Sequence, residues 1–573
     1  MPARFQALAF DYDGTLTEQG RPSPQMLAAL RRVRDSGRRL VLVTGRILAE
    51  LRAVFPEVDV EFDAIVAENG AVLADADGVR DLAPPIEPHL AQALAHRDIP
   101  CRVGRVVVAC DHAYAAAVHD ELDRLGIDGQ LVRNRGALMV VPSGVTKGTG
   151  LLEALGELRI SHHSTLAAGD AENDLPLLET AEVGVAVANA VDGLKRRADL
   201  VLDEPDGAGV TALLEGPVLA GEHRIFSDRW QIELGRTPQG RPVLLPSSQV
   251  SLLVTGGSCS GKSYLTGHLV EQLVQLRYGV LVVDREGDHV GLASRRGVVV
   301  VGGERPLPPP PEVVTLLGHR FGSVVLDLSL LAPARQDAYV AELHPLVRAV
   351  QLDSGSPHWI VHDEAHLAPG RPGETESHAS VPGSGQLLAT YQPDQLPAEV
   401  CDHLDAAVLL PGGGDGAEEA AAFVAQHWTG SRSFEEQLAA LHTGQAVLVP
   451  LALGGPPRSF TVGPRRARHV RHWHKYTDAQ LPHHLQFRFA GDDPDASAGN
   501  IREFHRELRR ASADTLRSHA SSRDLSRWVD QVLQERQLAA DVARLEWELD
   551  NGRRTLEDTR QRLLHAIEVR YLG

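Results

Sequence analysis

What most limits the folds open to this chain is a pair of phosphate-handling motifs in series, chemically unlike each other. Near the N-terminus, Phe10-Asp11-Tyr12-Asp13-Gly14-Thr15-Leu16-Thr17 sets two carboxylates two residues apart after an apolar run. Far downstream, Gly256-Gly257-Ser258-Cys259-Ser260-Gly261-Lys262-Ser263 is a glycine-rich loop that closes on a lysine and a hydroxyl. The first presents carboxylates to a phosphoryl group and needs a cation to do so. The second presents backbone N–H groups to nucleotide phosphates. One fold is not expected to house both, so the chain reads as a fusion. Its 573 residues agree, because about one domain per 150 residues predicts three or four domains.

The residues around the first motif predict a βαβ unit. Phe5 to Phe10 reads as a strand, and Ser23-Pro24 as a helix N-cap with a first-turn proline. Met26, Leu27, Leu30 and Val33 keep helical spacing, Gly37 closes the helix, and Leu40 to Val43 is a strand buried on both faces. A right-handed crossover implies a parallel sheet, whose ligands bind beyond the carboxyl ends of its strands. Asp11, Asp13 and Thr44 fall there.

Chemistry follows from that placement. Asp11 is the expected nucleophile, forming an aspartyl-phosphate. Asp13 points the same way from extended backbone, and can protonate the leaving oxygen and later activate water. Thr44-Gly45-Arg46 offers a hydroxyl and N–H groups to phosphate oxygens, and Lys147 a fixed positive charge. Gly169-Asp170-Ala171-Glu172-Asn173-Asp174 supplies hard oxygen ligands suited to Mg²⁺.

The order DxDGT, TGR, Lys and GDxxND resembles the haloacid dehalogenase-type phosphatases. Glu68-Asn69-Gly70 and Val185 to Ala190 narrow the likeness to the Cof-like branch with a type IIB cap, over roughly residues 4–205. The resemblance implies a Rossmann-like core with a small α+β cap, here about residues 84–141. It implies Asp11 as nucleophile and Asp13 as acid/base, with Asp11, the Asp13 carbonyl and Asp170 on the metal. Thr44 and Lys147 would hold the phosphate, with Gly45, Arg46, Asn69 and Asn173 on the phosphate and substrate side and Asp174 supporting the metal site. A short cap implies a small phosphorylated metabolite, of sugar phosphate or phosphoglycolate class. Within the cap, Arg105 to Ala109 reads as a strand and Ala113 to Leu125 as a helix. Arg102, Arg105 and Arg133 read as solvated surface arginines rather than substrate contacts.

A second domain follows residues 206–248. Val250 to Thr255 forms an apolar strand, the glycine loop comes next, and Leu265, Leu269, Leu273 and Leu276 mark a helix stripe. Strand, loop and helix together are the setting of a P-loop for ATP. Backbone groups of Gly256, Gly257, Ser258, Cys259, Ser260 and Gly261 would cradle phosphates, Lys262 would reach the β and γ oxygens, and Ser263 would ligate Mg²⁺. Trp359 to Glu364 delivers Asp363 and Glu364 at a strand end, the first for the metal and the second for the attacking water. His366 reads as structural. The pattern resembles the HerA/FtsK-type ATPases over about residues 224–464, with a RecA-like P-loop α/β fold and Gln392 in the polar sensor position. Arg432 is the one weak candidate for the arginine finger of ring-forming members, and the segment Leu409 to Gly414 stands where that finger is expected. Pro308 to Pro311 reads as a stiff surface loop.

From Pro482 the pattern is helical. Ile501, Phe504 and Leu508 form one stripe, Leu525, Trp528, Val529 and Val532 a second, and Leu538, Val542, Leu545 and Leu549 a third. The predicted division is a phosphatase domain over 1–215, a HerA-like ATPase domain over 216–465 and a helical module over 466–573. The chain is thus expected to be a multidomain α/β protein. A net charge of −19 argues against nucleic acid as the favoured partner. The alternative is a HerA-like nucleic-acid motor or end-processing protein with a phosphatase domain; the basic stretch Arg465 to Lys475 reads as a linker. No apolar run spans a membrane, four scattered cysteines suit reduced thiols, and a cytoplasmic protein is expected. Association into a homo-oligomer would go through the ATPase domain.

Overall fold

The computed structural model describes residues 5–17, 20–134, 136–257, 260–319, 322–365, 385–411, 421–426, 437–438, 440–467, 477, 481, 485–489, 496–533 and 536–572. Ser258, Cys259, His366, Gly412 to Gly414, Arg432 and residues 468–475 lie outside them.

The first sheet is built on β1 (Ala7–Phe10), β2 (Arg39–Val43), β3 (Ala64–Ala67), β4 (Val72–Asp75) and β5 (Gly78–Asp81). After the cap strands β6 (Cys101–Val103), β7 (Val108–Asp111), β8 (Gln130–Asn134) and β9 (Ala137–Val141), the chain returns with β10 (Thr165–Gly169), β11 (Val183–Ala186) and β12 (Leu200–Val201). The order is β12-β11-β10-β1-β2-β3-β4-β5. It is parallel from β12 to β3, and antiparallel in the last two pairs. β1 is central because Ala7 to Phe10 are all buried, and a strand covered on both faces carries no polar alternation. Ser23 caps the following helix, Pro24–Asp35, by accepting from Met26 N–H.

The cap is a four-stranded antiparallel sheet, β6-β7-β9-β8, backed by the helices Pro88–His96 and Ala115–Leu125. Its strand begins at Val108 rather than at Arg105. The backbone N–H groups of Arg105, Val106 and Val107 instead donate to the buried Glu68 carboxylate, at 3.0, 2.9 and 3.2 Å, and are lost to the ladder. Val107, Ala109, Met139 and Val141 join the core of the first domain, so the cap lies on it with an apolar face.

The second sheet has eleven strands. They are β13 (Gln231–Arg236), β14 (Pro242–Pro246), β15 (Ser251–Thr255), β16 (Val280–Asp284), β17 (Val298–Gly302), β18 (Ser323–Asp327), β19 (Trp359–Asp363), β20 (Gly385–Thr390), β21 (Ala406–Leu409), β22 (Gln445–Val449) and β23 (Arg458–Val462). The order β14-β13-β23-β22-β21-β15-β20-β19-β16-β18-β17 is parallel from β21 to β17. Pro310 and Pro311 do not form a stiff loop. They open the helix Pro310–Leu317, because a helix's first turn has no use for the N–H that proline lacks. Five helices between Ile501 and Ile567 enclose a third apolar core, with Phe504, Trp528, Val542 and Leu563 buried in it. Among the described residues no helix is long and apolar enough to cross a membrane.

The two sheets meet through a buried polar cluster. Glu182, at the start of β11, accepts from Tyr278 Oη at 2.8 Å and from Ser248. Its Oε2 also lies 2.8 Å from His163 Nδ1. The other nitrogen of that ring, Nε2, is 2.9 Å from the Leu276 carbonyl, and the ring stacks on Tyr278 at 3.6 Å between centroids. A carbonyl only accepts, so Nε2 carries a proton. Burial lowers the His163 imidazolium to about 3 and raises the Glu182 carboxyl. His163 is therefore neutral, with its proton on Nε2 and its Nδ1 facing the Glu182 carboxyl. Arg229 with Asp199 and Trp230 with the Ala181 carbonyl close the interface, at 2.7 and 3.3 Å.

Candidate functional site

Parallel pairing decides which residues converge in the first domain. Phe10 pairs with Ala168 on one side and Leu42 on the other, so Asp11, Gly169-Asp170 and Thr44 leave the sheet at one edge. Lys147 enters from the N-terminus of the helix Lys147–Glu157, where Thr146 and Thr149 form a reciprocal capping box. Its Nζ donates to Asp11 Oδ1 at 2.6 Å and to Asp174 Oδ1. Asp174 Oδ2 in turn accepts from the backbone N–H groups of Asp170 and Ala171, each at 2.9 Å. Thr15 Oγ1 lies 3.4 Å from both Asp11 Oδ2 and Asp170 Oδ1.

The electrostatics are those of an uncompensated pocket. Burial, with Asp174 and Asp170 beside it, pushes the Asp11 carboxyl well above its ordinary range, against the pull of Lys147. Burial also works to strip the Lys147 proton, but Asp11 and Asp174 outweigh it and hold the ammonium above its usual range. Asp11, Asp170 and Asp174 can each bring one oxygen within 4.8 Å of the others, and all three are buried. One ammonium faces three carboxylates, a donor set that suits a hard divalent cation.

Arg46 has a partner that the sequence does not announce. Its guanidinium grips Asp13 with two bonds, 2.7 and 2.6 Å, and lies over the Tyr12 ring. Gly45 follows Thr44 at the end of β2, and the Thr44 hydroxyl accepts from Arg46 N–H at 3.1 Å. Asn69 Oδ1 accepts from Asn173 at 3.0 Å. Glu68 and Asn69 hold left-handed backbone, with φ of 53° and 58°, a conformation that surrounding structure must enforce. Arg102 and Arg105 pair with Glu50 and Asp81, each at 2.7 Å, and Arg133 is exposed. Thr15 and the cap-anchoring role of Glu68 are absent from the sequence reading. Thr15 could have been found in the DxDGT motif, whereas nothing in the sequence marks what Glu68 holds.

In the second domain β20 stands between the glycine-loop strand β15 and the acidic strand β19. The loop, Tyr391-Gln392, Asp363-Glu364 and Asp284 all leave the sheet at the same edge, since Thr255 pairs with Thr390 and Asp363 with Ala389. Gly261 has φ of 103° just before the helix Lys262–Gln275, a turn that favours glycine. Lys262 Nζ donates to the Gly256 and Gly257 carbonyls at 3.3 and 3.1 Å, curled back along the loop that holds Ser260. The Ser263 carbonyl lies 3.4 Å from Arg465 Nη1, and that arginine's side chain is buried beside the helix. Glu364 follows Asp363 with φ of 55°, the kind of backbone strain that gathers at active sites. Asp363 Oδ2 meets His289 Nε2 at 2.8 Å, a pairing the sequence does not announce.

The comparisons agree with both halves. The haloacid dehalogenase-like hydrolase family matches residues 8–96 and 102–214, and the central domain of helicase HerA matches residues 232–341. Asp363 and Glu364 lie beyond that second match. A phosphoglycolate phosphatase of Methanopyrus kandleri is 33% identical over 218 residues, covering 36% of this chain and 93% of the relative. One from Archaeoglobus fulgidus is 31% identical over 222 residues, covering 37% and 96%. A solved haloacid dehalogenase-like hydrolase from Bacteroides thetaiotaomicron is 22% identical and covers 37% of this chain and 98% of its own, with a TM-score of 0.33. With its carboxylate-lined sheet edge and its relatives matched over nearly their whole length, this chain belongs to the haloacid dehalogenase-like hydrolases, as a phosphatase joined to a HerA-type domain.

Proposed function

We propose that the N-terminal domain is a Mg²⁺-dependent phosphomonoesterase for a small phosphorylated metabolite, of sugar phosphate or phosphoglycolate class. The observation that carries this reading is the fully buried Lys147 ammonium shared by Asp11 and Asp174 beside Asp170. Asp11 attacks phosphorus, and the leaving oxygen departs with a proton from Asp13. Asp13 then takes a proton from water, whose oxygen attacks the same phosphorus and breaks its bond to Asp11. Lys147 balances charge on the phosphoryl oxygens. Thr44, which accepts from Arg46 N–H, keeps its own proton to donate there. Mg²⁺ held by Asp11, Asp170 and the Asp13 carbonyl would neutralise the phosphoryl group, with Asp174 supporting from outside. The short cap favours a small substrate, and the relatives' names favour phosphoglycolate. Phosphate release across a metabolite panel, with and without Mg²⁺, tests the reading; no Mg²⁺-dependent release from any member would overturn it.

The second domain is proposed to bind and hydrolyse ATP through Lys262, Ser263, Asp363, Glu364 and Gln392, and to regulate the first. Its phosphate-binding helix, Lys262–Gln275, ends where the Leu276 carbonyl and Tyr278 meet His163 and Glu182. On the other side, Glu182 closes the segment that begins at Asn173 and Asp174. One helix on each side thus separates each phosphate site from a shared buried cluster. ATP is expected to change the phosphatase rate in the wild type, and Tyr278→Phe to abolish that response while basal turnover persists. A wild-type rate indifferent to ATP would remove the regulatory role.

A second reading, a motor on nucleic acid, is favoured by the HerA match. It predicts ATP hydrolysis stimulated by duplex DNA in a salt-sensitive manner. The net charge of −19 weighs against it.

A further inference from the structure

We infer that His289 is a positioning residue for Asp363, fixing the carboxylate that meets the nucleotide's metal ion. This rests on the reading of the second domain as an Mg²⁺-nucleotide site. β16 and β19 are neighbours, and Val283 pairs with His362, so Asp284 and Asp363 leave the sheet side by side. Both carboxylates are buried. Two like charges at that spacing repel and need a group between them.

His289 is that group, and the turn before it is built to deliver it. Asp284 Oδ1 accepts from Gly287 and Asp288 N–H at 2.7 and 3.1 Å, and its Oδ2 from His289 N–H at 2.8 Å. Gly287 takes φ of 80°, which lets the chain turn back within three residues. The His289 backbone is thereby clamped, and its ring, fully buried, reaches Asp363 Oδ2 at 2.8 Å. An ionised carboxylate only accepts, so Nε2 carries the proton in this bond. A carboxylate's terminal torsion is broad and roughly two-fold. Tying one oxygen sets the plane of the other.

The same three residues could be taken for a metal site, because their ligand atoms fall within 4.8 Å of one another. Their hydrogen bonds argue otherwise. Both Asp284 oxygens already serve backbone N–H groups, and the His289 nitrogen nearest Asp363 serves that carboxylate. Those bonds tie Asp284 to the turn and one oxygen of Asp363 to the ring, which orients Asp363, while the buried His289 Nδ1 takes no part in them.

The test uses the full chain and a fluorescent ATP analogue, titrated with Mg²⁺ and in chelator. His289→Leu keeps the bulk and removes the donor; His289→Gln restores an N–H that can reach Asp363. For His289→Leu the half-saturating Mg²⁺ concentration should rise about tenfold, as when a ligand's hydrogen-bond support is lost. Nucleotide affinity in chelator should stay unchanged, and His289→Gln should recover most of the Mg²⁺ response. A Leu variant with wild-type Mg²⁺ dependence would overturn the inference. If the Leu variant does not fold, His289→Asn, with the same amide on a shorter reach, should fail where Gln succeeds; equal behaviour of Gln and Asn would overturn it as well. Stoichiometric Mn²⁺ or Zn²⁺ binding without nucleotide, lost in these variants, would make His289 a ligand instead. A wild type that binds no nucleotide at all would remove the P-loop reading, and this inference with it.

Discussion

Arg46 holds Asp13 by two parallel bonds of 2.7 and 2.6 Å, so the residue proposed as acid/base is clamped by the guanidinium of the motif that follows β2. The bidentate fork is specific to arginine, since a lysine ammonium is a point charge that cannot reproduce it. In the proposed mechanism, phosphate at that corner is then left to the Thr44 hydroxyl and neighbouring N–H groups.

Arg46→Lys should therefore lower kcat on the order of 10²-fold, the lower end of what a positioned acid/base contributes. KM for substrate should change little. Steady-state kinetics decide it; a large KM rise with kcat intact would return Arg46 to phosphate binding.

Lys147→Met leaves three buried carboxylates without their ammonium. Breaking a buried ion pair from one side destabilises by about 3–5 kcal/mol. Thermal melts should show that loss, and Mg²⁺ should raise the variant's Tm more than the wild type's, because more negative charge is left to neutralise.

Gly70→Ala should act on the same lysine from a distance. Gly70 has φ of 105°, and an added Cβ would lie 2.0 Å from the Thr146 carbonyl, in the residue that caps the Lys147 helix. A destabilisation of about 1–3 kcal/mol, the usual range for forced overpacking, should accompany loss of phosphatase activity. Melts and phosphate release measure both.

The interface pair predicts a pH window. Unfolded, Glu182 and His163 titrate near their ordinary values of 4.5 and 6.5. Folded His163 is lowered to about 3, so its contribution is present above 6.5 and is lost as pH falls from 6.5 towards 3. Burial raises the folded Glu182 carboxyl, so its contribution is present below 4.5 and is lost as pH rises through the raised Glu182 value. The wild-type Tm should therefore drop relative to that of Glu182→Gln as pH rises above 4.5; a wild-type Tm that gains on the variant over that range would contradict the assignment.

Part of this architecture is legible in the sequence for a physical reason. Parallel strands present their carboxyl ends together, so residues after strand-like runs, such as Asp11, Thr44 and Asp170, can be placed at one edge without coordinates. Ser23 announces the helix it caps by its side-chain chemistry. The Arg46 grip on Asp13 is not legible, because it depends on which way a long side chain turns. The strand boundary at Val108 is missed because Glu68, forty residues earlier in the chain, captures the preceding N–H groups. The docking of Glu182 on Tyr278 joins residues 96 positions apart and leaves no periodic trace. The same holds for His289 and Asp363, brought together only by the pairing of β16 with β19.

The central claim is that Asp11 captures the phosphoryl group. Phosphate release from p-nitrophenyl phosphate, measured with Mg²⁺ for the wild type and for Asp11→Asn, tests it most directly. The account predicts turnover in the wild type and none in a variant with the wild-type melting profile. Continued release by folded Asp11→Asn at the wild-type rate would contradict it.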